Sequence, residues 1–441
     1  MSPARLSLAK NWYFYQFPHT PAHNIIEARP LYNSTLRKGG LVMLGRRIGF
    51  ALFVLLVSLL VAPGQAQPVF QHLKAFNVSA LFDGSASGAG DAVIDVAFDG
   101  SNVYLAGFRA ASGSGTVGVV RMDNVLSLPS GTVNASTPGV SRIIAVTAAG
   151  TSRDTRLVYY NGYLYLGTGL GQSTAGLDSA IRKYDTSGTL VTSWAGDGIL
   201  TLSEAGLSRY DTLAIDPGYG GSGPSLAVAP LSGSTTQPIK RFALDTGALL
   251  GTSNAVMPTF LRDIAFAPNG NVYVHRASPD ANDGIFVAQR TGLDSYNAPS
   301  VLVSVDEGNF QQATVTYVPA SQIFPTLGDL LAYNRRPGSV IAETNKLFLA
   351  TLSGTVVGEI DGSGATVDGV DLGTYKYNLI NAFPYVTPGG KLLLFVVSGQ
   401  TFGSPAGTID RLDIYQAVPE PASLVVLGAG VAALFLRRRK A

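Results

Sequence analysis

Histidines, carboxylates and glycine-rich turns are the places where this chain of 441 residues could do chemistry. Four histidines occur, His19, His23, His72 and His275, and there is no cysteine. Thiolate metal sites, cysteine nucleophiles and disulfides are therefore excluded. His19 and His23 belong to an N-terminal leader segment, so the body keeps only His72 and His275. A three-histidine metal site is then impossible, and a Ser-His-Asp triad would have to use one of these two. His275 lies in "VYVHRA", which reads as a strand with a packed or surface histidine. The chain has no G-x-S-x-G, H-E-x-x-H or Walker A sequence. G-x-G-x-x-G occurs twice, at Gly113, Gly115 and Gly118 and at Gly218, Gly220 and Gly223. A dinucleotide site needs that motif between a strand and a helix, and here both matches lie between β-rich runs. Neither a cofactor nor a metal is expected.

Carboxylates remain, and glycoside cleavage needs only two of them across a sugar ring. Asp95, Asp211 and Asp263 open three similar segments, while Asp185, Asp245 and Asp361 stand at turns of the segments that follow. Recurrence at equivalent positions suits a structural task, a carboxylate bonding turn or strand backbone. Catalysis would call for one unlike pair. "DGSGATVDGVD", Asp361 to Asp371, is acidic but lacks the spacing of a calcium loop and reads as an exposed turn.

The segments that hold these residues repeat. "DVAFDGSNVYLAGF", "RLVYYNGYLYLGTG" and "DIAFAPNGNVYVHRA" each run strand, tight turn, strand. Weaker copies are "DTLAIDPGYGGSGPSLAVAP", "VIAETNKLFLATLSG" and "FPYVTPGGKLLLFVVSG". Asn-Gly, Asp-Gly and Gly-Gly reach positive φ at low cost and suit hairpins, and the flanking Val, Ile, Tyr and Phe suit half-buried strands. A second strand-turn unit follows each copy, for example "AIRKYDTSGTLVTSW" after the second. Two hairpins per unit make a four-stranded sheet. Six such units, about 40 to 75 residues apart, resemble the blades of an all-β β-propeller, whose radial closure protects sheet edges. "IRKYDTSGTLVTSWAGDGILTL" is similar to NHL-like propeller repeats. The widest gap, 291 to 339, contains "VLVSV", "ATVTYV" and "DLLAY" and leaves room for a seventh, diverged blade. Ring closure would pair "PVFQHLKAFNVSALF" with "TIDRLDIYQ" in the last blade. Paired β-sandwiches are the alternative fold, and the two-hairpin rhythm disfavours a β-helix.

Composition agrees with an exported β protein. Charged residues make up 14% and there are 51 glycines, with no acidic or basic block in the body. The basic footprint of a nucleic-acid binder is absent.

Both ends carry processing signals. From Met43 the chain reads "MLGRRIGFALFVLLVSLLVAPGQAQ": Arg46 and Arg47, an apolar stretch from Ile48 to Val61, then small residues before a cut. This is the pattern of a secretory signal peptide over 43–66, cleaved by signal peptidase between Ala66 and Gln67. Residues 1–42 show neither helical periodicity nor strand alternation and read as an over-extended start or a leader. The chain closes on "VPEPASLVVLGAGVAALFLRRRKA". An uncharged run of about 15 residues is short for a permanent span but sufficient for a transient transmembrane helix. Cations beyond it stay cytoplasmic. The order Pro-Glu-Pro, apolar run, basic end closely resembles the PEP-CTERM sorting signal of Gram-negative bacteria. On that resemblance, residues 418–441 are a sorting tail in which an exosortase recognises Pro419, Glu420 and Pro421. Ala422 to Leu436 is the membrane segment, and Arg437, Arg438, Arg439 and Lys440 are the cytoplasmic stop. The body, 67–417, would then be a surface or matrix protein with a binding or structural role, associated with exopolysaccharide in biofilm as the sorting family implies. An exported carbohydrate-active hydrolase or lyase is the alternative.

Overall fold

A computed structural model describes the chain from Pro68 to Pro419, apart from 82–90, 110–114, 149–153, 171–179, 208–211, 231–235, 278–282, 306–313, 336–345, 362–365, 368–369, 372–379 and 399–408. The signal helix, the transmembrane helix and the leader expected from the sequence lie outside the described residues. Among those residues no helix is long and apolar enough to cross a membrane.

The repeated hairpins fold into six blades of four antiparallel strands, the last of which gains a fifth, parallel strand, Gly131–Thr132. Blade 1 contains Asp91–Phe98, Val103–Arg109, Gly115–Met122 and Val140–Ala148. Blade 2 contains Asp154–Tyr160, Tyr163–Leu170, Ala180–Asp185 and Ile199–Thr201. Blade 3 uses Ala214–Asp216, Ser225–Val228, Lys240–Phe242 and Leu249–Thr252. Blade 4 uses Leu261–Phe266, Val272–Arg276, Gly284–Ala288 and Ser300–Ser304. Blade 5 is Val315–Val318, Leu330–Asn334, Lys346–Thr351 and Val356–Asp361. Blade 6 takes Ile380–Val386, Leu392–Ser398 and Arg411–Val418 from the C-terminal end and Val69–Asn77 from the N-terminal end.

This is a six-bladed propeller-like ring. Six apolar cores, one per blade junction, replace a single central core. Phe76 and Phe395 pack against Val96 and Val103 between blades 6 and 1, and Tyr415 packs against Leu347 and Phe324 between blades 5 and 6. The other four junctions are closed in the same way. Each fully buried Phe of this kind contributes about 1.5–3 kcal/mol.

The "VLVSV", "ATVTYV" and "DLLAY" segments do not make a seventh blade. The first is the outer strand of blade 4, and the other two are the inner hairpin of blade 5. "KLFLATLSG", expected as the second strand of a unit's first hairpin, is consequently third in its blade. An alternating apolar run does not reveal which place in a sheet it will take, because inner and outer strands share the same period.

Closure follows the expected pairing. Val69–Asn77 runs antiparallel to Arg411–Val418 from Val69↔Val418 to Asn77↔Arg411, with a register shift between His72 and Lys74. The turn between the first two strands of blade 2 is the Asn161-Gly162 pair, with φ of 46° and 84°. Both values are those a two-residue hairpin requires.

Candidate functional site

The innermost strands of blades 1, 2 and 4 share a local irregularity. The register shifts between Val93 and Asp95, between Asp154 and Arg156, and between Leu261 and Asp263. Such bulges re-aim a side chain. Here they bring Asp95, Arg156 and Asp263 together at the ring axis, all buried.

The two carboxylates are bonded alike. Oδ1 of Asp95 accepts the N–H of Val96 at 2.8 Å, and Oδ2 accepts the N–H of Leu157 in blade 2 at 2.7 Å. Oδ1 of Asp263 accepts the N–H of Ile264 at 3.0 Å, and Oδ2 accepts the N–H of Val315 in blade 5, also at 3.0 Å. Each aspartate thus fastens its blade to the next. Asn381 of blade 6 continues the ring, donating from Nδ2 to Oδ1 of Asp95 at 2.7 Å. Arg156 reaches from blade 2 to blade 4, with Nη2 donating to the carbonyl of Arg262 at 3.2 Å and Nε 4.0 Å from Oδ1 of Asp263.

Two acids therefore share one guanidinium in a dry setting. Burial pushes the Asp95 carboxyl up to about 7, against the pull of Arg156 and the N–H donors, and Asp263 adds to the rise. Burial also raises Asp263, again opposed first by Arg156. An acid of this kind can exchange a proton near neutrality. Its oxygens, however, are committed to backbone donors, which is the structural task expected from recurrence. Asp211, the third of the repeated acids, lies outside the described residues.

The turn aspartates behave as local caps. Oδ1 of Asp185 accepts from the hydroxyl and N–H of Ser187 and from the N–H of Thr189. The Ser187 hydroxyl, with those backbone donors, holds Asp185 below the usual carboxylate range. Asp245 accepts the N–H of Thr246. Around Asp361, Thr366–Val367 and Val370–Asp371 form a short two-stranded ladder. Among the described residues no group of three His, Asp or Glu side chains could hold a metal.

The histidines stand in different blades. Nε2 of His72 pairs with Oδ1 of Asp413 at 2.7 Å across the closing seam, and its ring stacks on Tyr415 at 4.4 Å. His275 is buried in blade 4, with Nδ1 donating to the carbonyl of Thr314 at 2.9 Å. Of the two G-x-G-x-x-G stretches, Gly115 and Gly118 lie in a strand of blade 1. The other forms the first turn of blade 3, where Gly218 has φ 96° and an added Cβ would stand 2.1 Å from the carbonyl oxygen of Ser222. Its N–H donates to Asp216, so the glycine serves turn geometry.

Two further features escaped sequence reasoning. Arg156 was hidden as an ordinary strand residue; its signal was a cation in the innermost strand at the place where "DVAF" and "DIAF" carry Asp. The second feature is a charge network at blades 3 and 4. Arg290 grips Asp216 with two parallel bonds, 2.6 Å from Nη1 and 2.9 Å from Nη2, and both side chains are fully buried. Beside it Nε of Arg241 donates to Asp294 at 2.7 Å. Over this network lies an open groove of 540 Å³, lined by Pro224, Leu244, Leu250 and Leu293 with Asp245 at its margin.

The sorting element meets the fold at one point. Arg411–Val418 ends the ring, and Pro419 follows it, exposed. Ala66, Gln67, Glu420, Pro421 and Arg437 to Lys440 lie outside the described residues.

Among solved structures, a putative 6-phosphogluconolactonase from Bacteroides uniformis ATCC 8492 aligns at 12% identity and TM-score 0.39, over 72% of this chain and 83% of that one. The complex of KlAtg21 with the coiled coil of AgAtg16 aligns at 11% and 0.35, over 72% and 96%. Chaetomium thermophilum Raptor aligns at 9% and 0.39, over 80% and 29%. Likeness at this level assigns no activity. No curated protein matches the sequence. Residues 417–440 match the PEP-CTERM protein-sorting motif. The chain thus joins a six-bladed propeller-like body to a motif that marks an exported protein sorted by an exosortase.

Proposed function

We propose that this is a cell-surface or extracellular-matrix protein whose propeller has a non-enzymatic binding or structural role, associated with exopolysaccharide. Signal peptidase cuts after Ala66, leaving Gln67 as the first residue. An exosortase then recognises Pro419, Glu420 and Pro421 while Ala422 to Leu436 holds the chain in the membrane and Arg437, Arg438, Arg439 and Lys440 stay in the cytoplasm.

One observation carries this reading: the ring is complete between the two signals. Its first strand starts at Val69 and its last ends at Val418. Removing residues up to 66 and the tail beyond Pro-Glu-Pro takes no strand from any blade. The axial carboxylates favour binding or scaffolding over hydrolysis, because Asp95 and Asp263 brace the ring with an arginine between them.

Replacing Pro419, Glu420 and Pro421 together by Ala in the native host tests the sorting step. The expected result is a membrane-held protein whose intact mass includes the basic tail. Processing and release as in the wild type would overturn it.

A further inference from the structure

In each blade the first and third strands run toward one end of the ring, and the tightest described turns lie there. Examples are Asn161-Gly162 in blade 2 and the 387–391 turn in blade 6. At the opposite end every connection but 253–260, between blades 3 and 4, falls wholly or partly outside the described residues. Both chain ends of the body emerge on the short-turn side. Arg411–Val418 is the third strand of blade 6 and stops there, and Val69–Asn77 starts there as the fourth. Phe70 fixes the spot, its ring 5.9 Å from that of Phe324 in the 319–329 turn of blade 5.

The tether to the apolar tail is short and stiff. Only Pro419, Glu420 and Pro421 separate the last strand from Ala422. Four residue steps from Val418 to Ala422 span at most about 14 Å when fully extended. Blade 6 cannot stand farther than this from the start of the apolar segment.

The surface at this end fits such a neighbour. Among the described residues, every large apolar side chain left exposed lies in these turns or within two residues of them, and every blade supplies one: Leu126, Tyr163, Leu249, Val301, Val356 and Val386 for blades 1 to 6. Val69, beside the tether, is 57% exposed. Single exposed apolar residues are common on protein surfaces; here each of the six blades contributes one at the end where the tether leaves. Charge selects the lowest point. Blades 1 to 5 each present a carboxylate at this end, Asp99, Asp185, Asp245, Asp294 and Asp329. In blade 6 the corresponding turn, Thr387 to Lys391, ends in an exposed lysine, and apart from Glu420 of the sorting element that corner carries no acid. A cation approaches an anionic lipid surface favourably, and carboxylates do not.

We infer that, while the tail is attached, the propeller rests on the anionic lipid surface with its short-turn end down and blade 6 nearest, so that the opposite end of the ring points away. This rests on the membrane role proposed above for Ala422 to Leu436. The natural absence of cysteine makes the orientation measurable. The full chain, taken from membranes of a host without an exosortase, is placed in vesicles of phosphatidylethanolamine and phosphatidylglycerol containing nitroxide-labelled lipid. Single fluorophores are carried by Pro388→Cys (blade 6), Thr246→Cys (the far side of the same end), Ser304→Cys (the opposite end) and Ala433→Cys (the tail). Lys391→Cys replaces the first if the proline turn is disturbed. Quenching is expected to be strong at 433, several-fold greater at 388 than at 246, and absent at 304. Quenching at 433 without that order overturns the orientation alone. No quenching at 433 overturns the membrane role of the tail and the orientation with it.

Discussion

Two buried charge networks in this ring are built from the same two residue types and have different consequences. At blades 3 and 4, Asp216 and Asp294 are matched by Arg290 and Arg241, and the Asp216–Arg290 pair is a close fork. Arg290 also lies over the rings of Tyr219 and Tyr296, at 5.5 and 5.4 Å. At the axis, Asp95 and Asp263 both lie near Arg156, whose Nε is 4.0 Å from Oδ1 of Asp263. A bidentate fork between a guanidinium and a carboxylate fixes both side chains in one geometry. At the axis burial outweighs the pull of Arg156 on both acids and favours their protonated forms. The first network is a lock, and the second is a brace that also titrates.

Substitution separates them, and the largest effect is expected at the lock. Arg290→Ala leaves the buried Asp216 without its bidentate partner, with Nε of Arg241 still 3.9 Å away, and should cost about 3–5 kcal/mol. Urea unfolding measures it; a loss below about 1 kcal/mol would show that water or a neighbour replaces the guanidinium. The brace should show itself through pH. Unfolded, Asp95 has the ordinary carboxylate value of 3.8, whereas folded it holds its proton up to about 7. The folded state binds the extra proton between these values, so this contribution to stability is full below the lower one and is lost as pH rises through the upper one. Asp95→Asn should flatten that slope, so that the variant gains on the wild type as pH rises through the window. Parallel stability curves would sink the assignment. The smallest effect belongs to the rim of the lock. Asp294 is 31% exposed, and Asp294→Ala should cost about 1 kcal/mol or less, with a loss that shrinks further in high salt.

Much of the ring was legible in the chain. "DVAFDGSNVYLAGF" and "RLVYYNGYLYLGTG" carry period-two apolar strands around turns that only certain residues make cheaply, and both form the inner hairpins of their blades. The closing strand was legible because a ring with a spare strand at each terminus has one economical pairing. Blade 5 was harder to read: its inner hairpin is split by an 11-residue connection from 319 to 329 with no tight-turn signature. The site was legible only in part. Asp95 and Asp263 stood out by repetition, but Arg156 did not, because a bulge that turns one side chain to the axis leaves no mark in the spacing of its neighbours.

The sequence by itself determined the strands, their turns, the sorting motif at 417–440 and the exclusion of thiol chemistry, because each depends on residues a few positions apart or on composition. Tertiary structure decided which strands share a blade and that Asp216 meets Arg290 across 74 positions. It also decided that Asp95 and Asp263 share one arginine, and that Val69 ends beside Val418. These depend on how six twisted sheets close around an axis, and a closed ring is a property of the whole chain that no local stretch contains.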